Sequence, residues 1–135
     1  MGSDESIRPR SIGSTPTASR LHWAVYGPSV LSADEARRIA LALPDAVEQD
    51  HHGRPSYRVG GKIFATQWDD THMNVMLDDG GIQTAIHEAP GTCEEVWWGK
   101  RLAAVRIDLE RAGEALLRDL LEDAWERKAG RRLPS

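Results

Sequence analysis

The chain has 135 residues, 40% hydrophobic and 28% charged, a balance that fits one soluble globular domain and excludes membrane-embedded or collagen-like architecture. A net charge of -4 with an isoelectric point near 5.7 excludes a bulk positive field that would draw the whole chain onto nucleic acid. The single cysteine, Cys93, excludes an internal disulfide framework and a multi-thiolate metal site, and a lone thiol fits a reducing, cytoplasmic compartment.

Residues 1–29 differ from the rest. Met1 to Arg20 is rich in Ser, Thr, Pro, Gly and Arg, with Ile7 and Ile12 as its only large aliphatic side chains. That composition buries too little apolar surface to offset the entropy of ordering, so a flexible N-terminal extension is expected over 1–29 and one folded domain over 30–135. No apolar core of a secretion signal and no apolar run of ~18 residues is present.

The folded part opens at Ser32. Ser32 and Glu35 have capping-box spacing, Leu31 and Ala36 flank the cap, and Ala36, Ile39, Ala40 and Leu43 recur at helical intervals until Pro44 stops the helix. The period then changes to two. Ser56–Val59 and Lys62–Trp68 flank Gly60-Gly61, a two-residue hairpin signal. Asp69-Asp70 predicts the next turn and His72–Leu77 a third strand. Asp78-Asp79 starts a short second helix carrying Ile82, Ala85 and Ile86, which Pro90-Gly91 ends.

Val96-Trp97-Trp98 and Leu102–Ile107 read as a further strand pair joined near Gly99-Lys100-Arg101. A last helix, from about Glu110 to Ala129, carries Ala112, Leu116, Leu117, Leu120, Leu121, Ala124 and Trp125 on one stripe. Its wet face pairs Glu114 with Arg118 and Asp123 with Arg127. The expected fold is α+β and two-layered: an antiparallel sheet of about five strands with helices packed on it, in the order α-β-β-β-α-β-β-α.

Three groups of residues carry a resemblance. Pro44-Asp45-Ala46-Val47-Glu48, Arg54-Pro55-Ser56-Tyr57-Arg58-Val59 and Gly61-Lys62-Ile63-Phe64-Ala65 resemble the N-terminal signature of the MmcQ/YjbR family. Ala103–Ile107 and Leu121–Ala129 are similar to its final strand and helix. The likeness covers about residues 31 to 133 and lies in the order and spacing of the segments. It implies a compact α+β domain related in architecture to frataxin-like and secretion-chaperone-like proteins, and a DNA-binding role. It brings no catalytic residues to transfer. His51-His52-Gly53 and the stretch Cys93 to Trp98 depart from the family pattern.

Weighed for chemistry, the residues favour a binding module without enzymatic activity or cofactor. Cys93 sits beside Glu94 and Glu95, which oppose a thiolate, and no Gly-x-Ser-x-Gly elbow is present. His51, His52, His72 and His87 lack metal-ligand spacing, so no metal ligands are assigned; an acidic, frataxin-like metal-binding ridge is the least favoured reading. DNA binding would fall to the basic and aromatic residues Arg54, Tyr57, Lys62, Trp98, Lys100 and Arg101, against a folded part holding 14 Lys and Arg and 19 Asp and Glu. The alternative is a protein-partner or homodimer surface formed by Trp97 and Trp98. Neighbouring strand residues face opposite ways, so one of these two tryptophans can be buried while the other is not.

Overall fold

Ser32 Oγ accepts from the Glu35 amide (3.1 Å) while the Ser32 amide donates to Glu35 Oε1 (2.9 Å), so the capping box forms and opens helix α1 (Ala33–Leu41). The computed structural model describes residues 30–134, and the expected extension over 1–29 lies outside them. Leu31 and Ala36, on either side of the cap, are both buried in the core. Beyond Pro44 the chain forms four strands in succession, β1 (Val47–His51), β2 (Arg54–Val59), β3 (Lys62–Asp69) and β4 (His72–Val75). Helix α2 (Asp79–Glu88) follows, then β5 (Cys93–Trp98), β6 (Arg101–Asp108) and helix α3 (Leu109–Ala129).

The six strands make one antiparallel sheet in the order β1-β2-β3-β4-β6-β5. The α+β, two-layer expectation holds, with six strands in place of five. The unforeseen strand is β1, and the reason is physical: it is an edge strand whose first four residues are all exposed, so it shows no alternation. Its register is set by a two-residue turn in which His52 and Gly53 take φ of 55° and 83°, the left-handed pair that matches strand twist. Gly60-Gly61 makes the equivalent turn between β2 and β3 as expected.

Pairing across the sheet separates two faces. Tyr57, Ala65, Val75 and Val105 are successive cross-strand partners, and all four belong to the main core with residues of α1, α2 and α3. The adjacent row, Gln49, Ser56, Thr66, Asn74, Arg106 and Glu94, points the other way. The small apolar cluster on that second face, Met76, Val96 and Ala104 with Ile63, contains no helix residue. All three helices therefore pack on one side of the sheet.

Helix α3 seals that side with Leu109, Leu117, Leu120, Leu121, Ala124 and Trp125, and the Trp125 indole donates to the Pro44 carbonyl (2.8 Å). It is less regular than its apolar stripe predicts, because Gly113 takes φ 73°, ψ 161° and interrupts it. Glu114 and Arg118 pair as expected. Among the described residues Asp123 and Arg127 do not, because Arg127 lines a cleft instead. No helix of the described chain is long and apolar enough to cross a membrane.

Candidate functional site

At one end of the sheet the chain starts β3 and β6, ends β5, and turns from β4 into α2. The last turn of α3 arrives at the same end. A cleft of about 720 Å³ opens there, walled by Lys62, Arg101, Trp98, Arg127 and Lys128, with Ile63, Met76 and Leu102 among its apolar lining and Asp78 and Asp79 on its rim. Asp78 is committed to α2, where its carboxylate accepts from the Gly81 amide (2.7 Å). Among the described residues, none of Lys62, Arg101, Arg127 and Lys128 forms an ion pair. Burial, then Arg127, Arg101 and Lys62 in that order, holds the Lys128 ammonium below its ordinary pKa. Three cations thus lie close enough to disfavour the charge on Lys128.

Trp98 belongs to this wall. It is 51% exposed, and the Arg101 guanidinium lies 5.3 Å from its ring centroid. Lys100, at the β5–β6 turn, lines the adjoining hollow with Trp97, Trp98 and Arg101. Neither of the paired tryptophans is buried. Trp97 and Trp98 do face opposite ways, as Trp97 pairs with Leu102 on the helix side and Trp98 with Arg101. Both nevertheless remain half exposed, because β5 is the other edge strand and the register shifts between Val96 and Trp97, where the ladder ends. The Trp97 indole donates to Glu95 Oε1 (3.1 Å), and Gln83 of α2 donates to Glu95 Oε2 (2.8 Å).

The far end of the helix-free face carries a second group. The Arg54 and Arg106 guanidiniums lie over the Trp68 ring, 4.2 and 4.1 Å from its centroid. Arg106 also donates to Asn74 Oδ1 (3.0 Å) and stands 3.8 Å from Glu94. Trp68 shares this face with Thr66, two residues earlier on β3, and is left unpaired by a bulge, since Gln67 and Asp69, but not Trp68, find partners on β4.

Of the residues expected to bind, Lys62, Trp98 and Arg101 line the cleft, Lys100 lies beside it and Arg54 stands at the opposite end of the face. Tyr57 is a correction. It is buried at 1% exposure under the helices, and burial pushes its hydroxyl pKa up to about 12, so it offers nothing to a ligand. Trp68, Arg106, Arg127 and Lys128 were not assigned to a site from sequence. The clustered basic end of α3 was the available signal for Arg127 and Lys128; alternation put Trp68 on the face of Thr66, with nothing local to say which face the helices would cover.

The remaining chemistry is subdued. Burial pushes the Cys93 thiol up to about 11, so desolvation rather than its acidic neighbours keeps it protonated. His51 and His52 meet edge to face at 4.4 Å in the β1–β2 turn, and among the described residues no three His, Cys, Asp or Glu side chains gather as metal ligands would.

Searches of the curated proteins and of the solved structures found no match. The YjbR family model matches residues 41–127, which span β1 through most of α3 and so include both edge strands and the cleft wall up to Arg127. On that match the chain belongs to the YjbR family.

Proposed function

We propose that this chain is a non-enzymatic nucleic-acid-binding module whose contact surface is the cationic cleft together with the helix-free sheet face. One observation carries the reading: Lys62, Arg101, Arg127 and Lys128 converge with an exposed Trp98 around a single cleft, in a chain whose net charge is -4. Concentrated like charge costs the free protein stability, and a polyanion would offset that cost on binding. Phosphates supply the counter-charge and the indole a stacking surface. A buried Cys93 thiol and an absence, among the described residues, of any gathered ligand set leave little support for a reactive centre.

The test is fluorescence anisotropy with labelled oligonucleotides, single-stranded and duplex, at about 50 mM and about 200 mM salt. Binding is expected to weaken steeply with salt. If the four cleft cations each meet a phosphate, the log–log slope is roughly -3 on single strands and somewhat steeper on duplex. Lys62→Gln combined with Arg127→Gln should reduce that slope. No binding to either form at low salt, or binding indifferent to salt, overturns the proposal.

One observation favours a second reading, a protein partner or a homodimer. β5 is a free edge that presents Trp97 and Trp98, each about half exposed. Sedimentation velocity on the wild type and on Trp97→Ala decides it. A concentration-dependent dimer lost in the variant supports this reading, and a monomer at all concentrations removes its homodimer form.

A further inference from the structure

We infer that the nucleic acid this surface takes is an unpaired single strand, laid across the helix-free face from the cationic cleft to the Trp68 group. This rests on the nucleic-acid reading above and narrows it. The stacking surfaces are the first ground. Trp98 beside Arg101 presents an indole plane at one end, and at the other the guanidiniums of Arg54 and Arg106, which cover the Trp68 ring at 4.2 and 4.1 Å, present their own outer planes on the same face of the sheet. Such planes bind the flat faces of bases, which in a duplex are already covered by neighbouring pairs.

The second ground is the floor between the two ends. Ile63, Met76, Val96 and Ala104 form an apolar strip, and Ser56, Thr66 and Asn74 a polar uncharged one; all but Ile63 are buried, so they lie beneath the strand's path rather than on it and bring no charge to it. On the cross-strand row that crosses this face the acid is Glu94, and Arg106 stands beside it at 3.8 Å. Arg101 and Arg106 are five residues apart on β6, about 16 Å at strand rise, so the two cationic ends are separated by a few nucleotides of extended chain.

The third ground argues against duplex. Reading a duplex from the major groove calls for a helix or ribbon with a basic outer surface. On the helix layer Glu88 of α2 and Asp119, Glu122 and Asp123 of α3 gather along one groove that would repel phosphates, while the exposed Arg111 and Arg118 of α3 are paired with Asp108 and Glu114.

The experiment compares one sequence as ~12-nucleotide DNA, as RNA of the same length, and as DNA duplex, at one salt concentration. Either single strand should bind the intact chain at least about tenfold more tightly than duplex, and the DNA and RNA arms separate the two sources of an unpaired strand. Trp98→Ala should weaken single-strand binding by at least about fivefold, the lower end of what a stacked base contributes. Asp123→Asn, in the acidic groove between α2 and α3, should leave it within about twofold, and circular dichroism checks that both variants stay folded. Duplex bound as tightly as single strand, or single-strand binding unmoved by Trp98→Ala, overturns the inference while leaving nucleic-acid binding intact. Failure of all three oligonucleotides overturns both.

Discussion

Two grooves flank α3, and they carry opposite charge. Between α2 and the middle of α3 runs a groove of about 470 Å³ lined by Glu88, Asp119, Glu122 and Asp123; past the end of α3 lies the cleft of Lys62, Arg101, Arg127 and Lys128. Asp123 and Lys128, five residues apart on one helix, register the difference. Burial and then Glu126, Asp119 and Asp78 raise the Asp123 pKa, while burial and then Arg127, Arg101 and Lys62 lower that of Lys128. Each charge is disfavoured by its own kind. A net charge of -4 therefore describes neither groove: an anion would be repelled along the acidic one and attracted to the basic one.

The contrast between the helix-covered and bare sides can be broken most forcefully at Trp125. Trp125→Ala removes a fully buried indole and its bond to the Pro44 carbonyl, so a loss of about 3–5 kcal/mol is expected in denaturant unfolding. By comparison Trp98→Ala, on the bare side, should change stability by no more than about 0.5 kcal/mol while it weakens single-strand binding. Equal losses at the two positions would erase the distinction between a packed and a working face.

Trp68 lies between these extremes. Trp68→Ala releases two guanidiniums, each stacked contact being worth about 0.5–1 kcal/mol at a partly exposed site, and the expected loss is about 1–2 kcal/mol. Arg54 and Arg106 would then move freely, and oligonucleotide binding should fall along with stability. Retained binding would show that Trp68 only packs.

The charge contrast is sharpened by two conservative changes with small and opposite pH signatures. Lys128→Gln removes a repelled ammonium and should raise the melting temperature slightly at neutral pH, with the gain shrinking as salt is added, while nucleic-acid affinity drops. Because the folded-state pKa of Lys128 is lowered, its charged form opposes folding at pH below that value, and the penalty fades as pH rises through it. Asp123 has the reverse sign: its raised folded-state pKa favours folding in acid, and that contribution is lost as pH rises through the folded value. Asp123→Asn should therefore stabilise at neutral pH and give no gain below the carboxylate range, with nucleic-acid binding unimpaired. A stabilising Lys128→Gln that left affinity untouched would separate the cleft from function.

Much of the fold was legible because its signals are local. The Ser32–Glu35 box, Gly60-Gly61 and the apolar stripe of α3 each act over a few residues, and each formed where the spacing placed it. β1 was not legible, as an exposed edge strand alternates nothing across its faces. At the site, Lys62, Trp98, Lys100 and Arg101 were legible as basic and aromatic residues near predicted turns. Tyr57 read the same way and proved to be core, because burial depends on which face the helices cover. Trp68 shares the face of Thr66 by alternation, and only the packing of the helices shows which face that is.

Sequence alone determined every element but β1 and the antiparallel pairing through short turns, since periodicity and turn chemistry are properties of neighbouring residues. Only the tertiary structure decided that Lys62, Arg101 and the Arg127–Lys128 pair, spread over more than sixty positions, share one cleft, and which face of the sheet the described helices cover. Charge acts through space and not along the chain. Where it accumulates is settled by which strand ends and helix ends the folded sheet brings together.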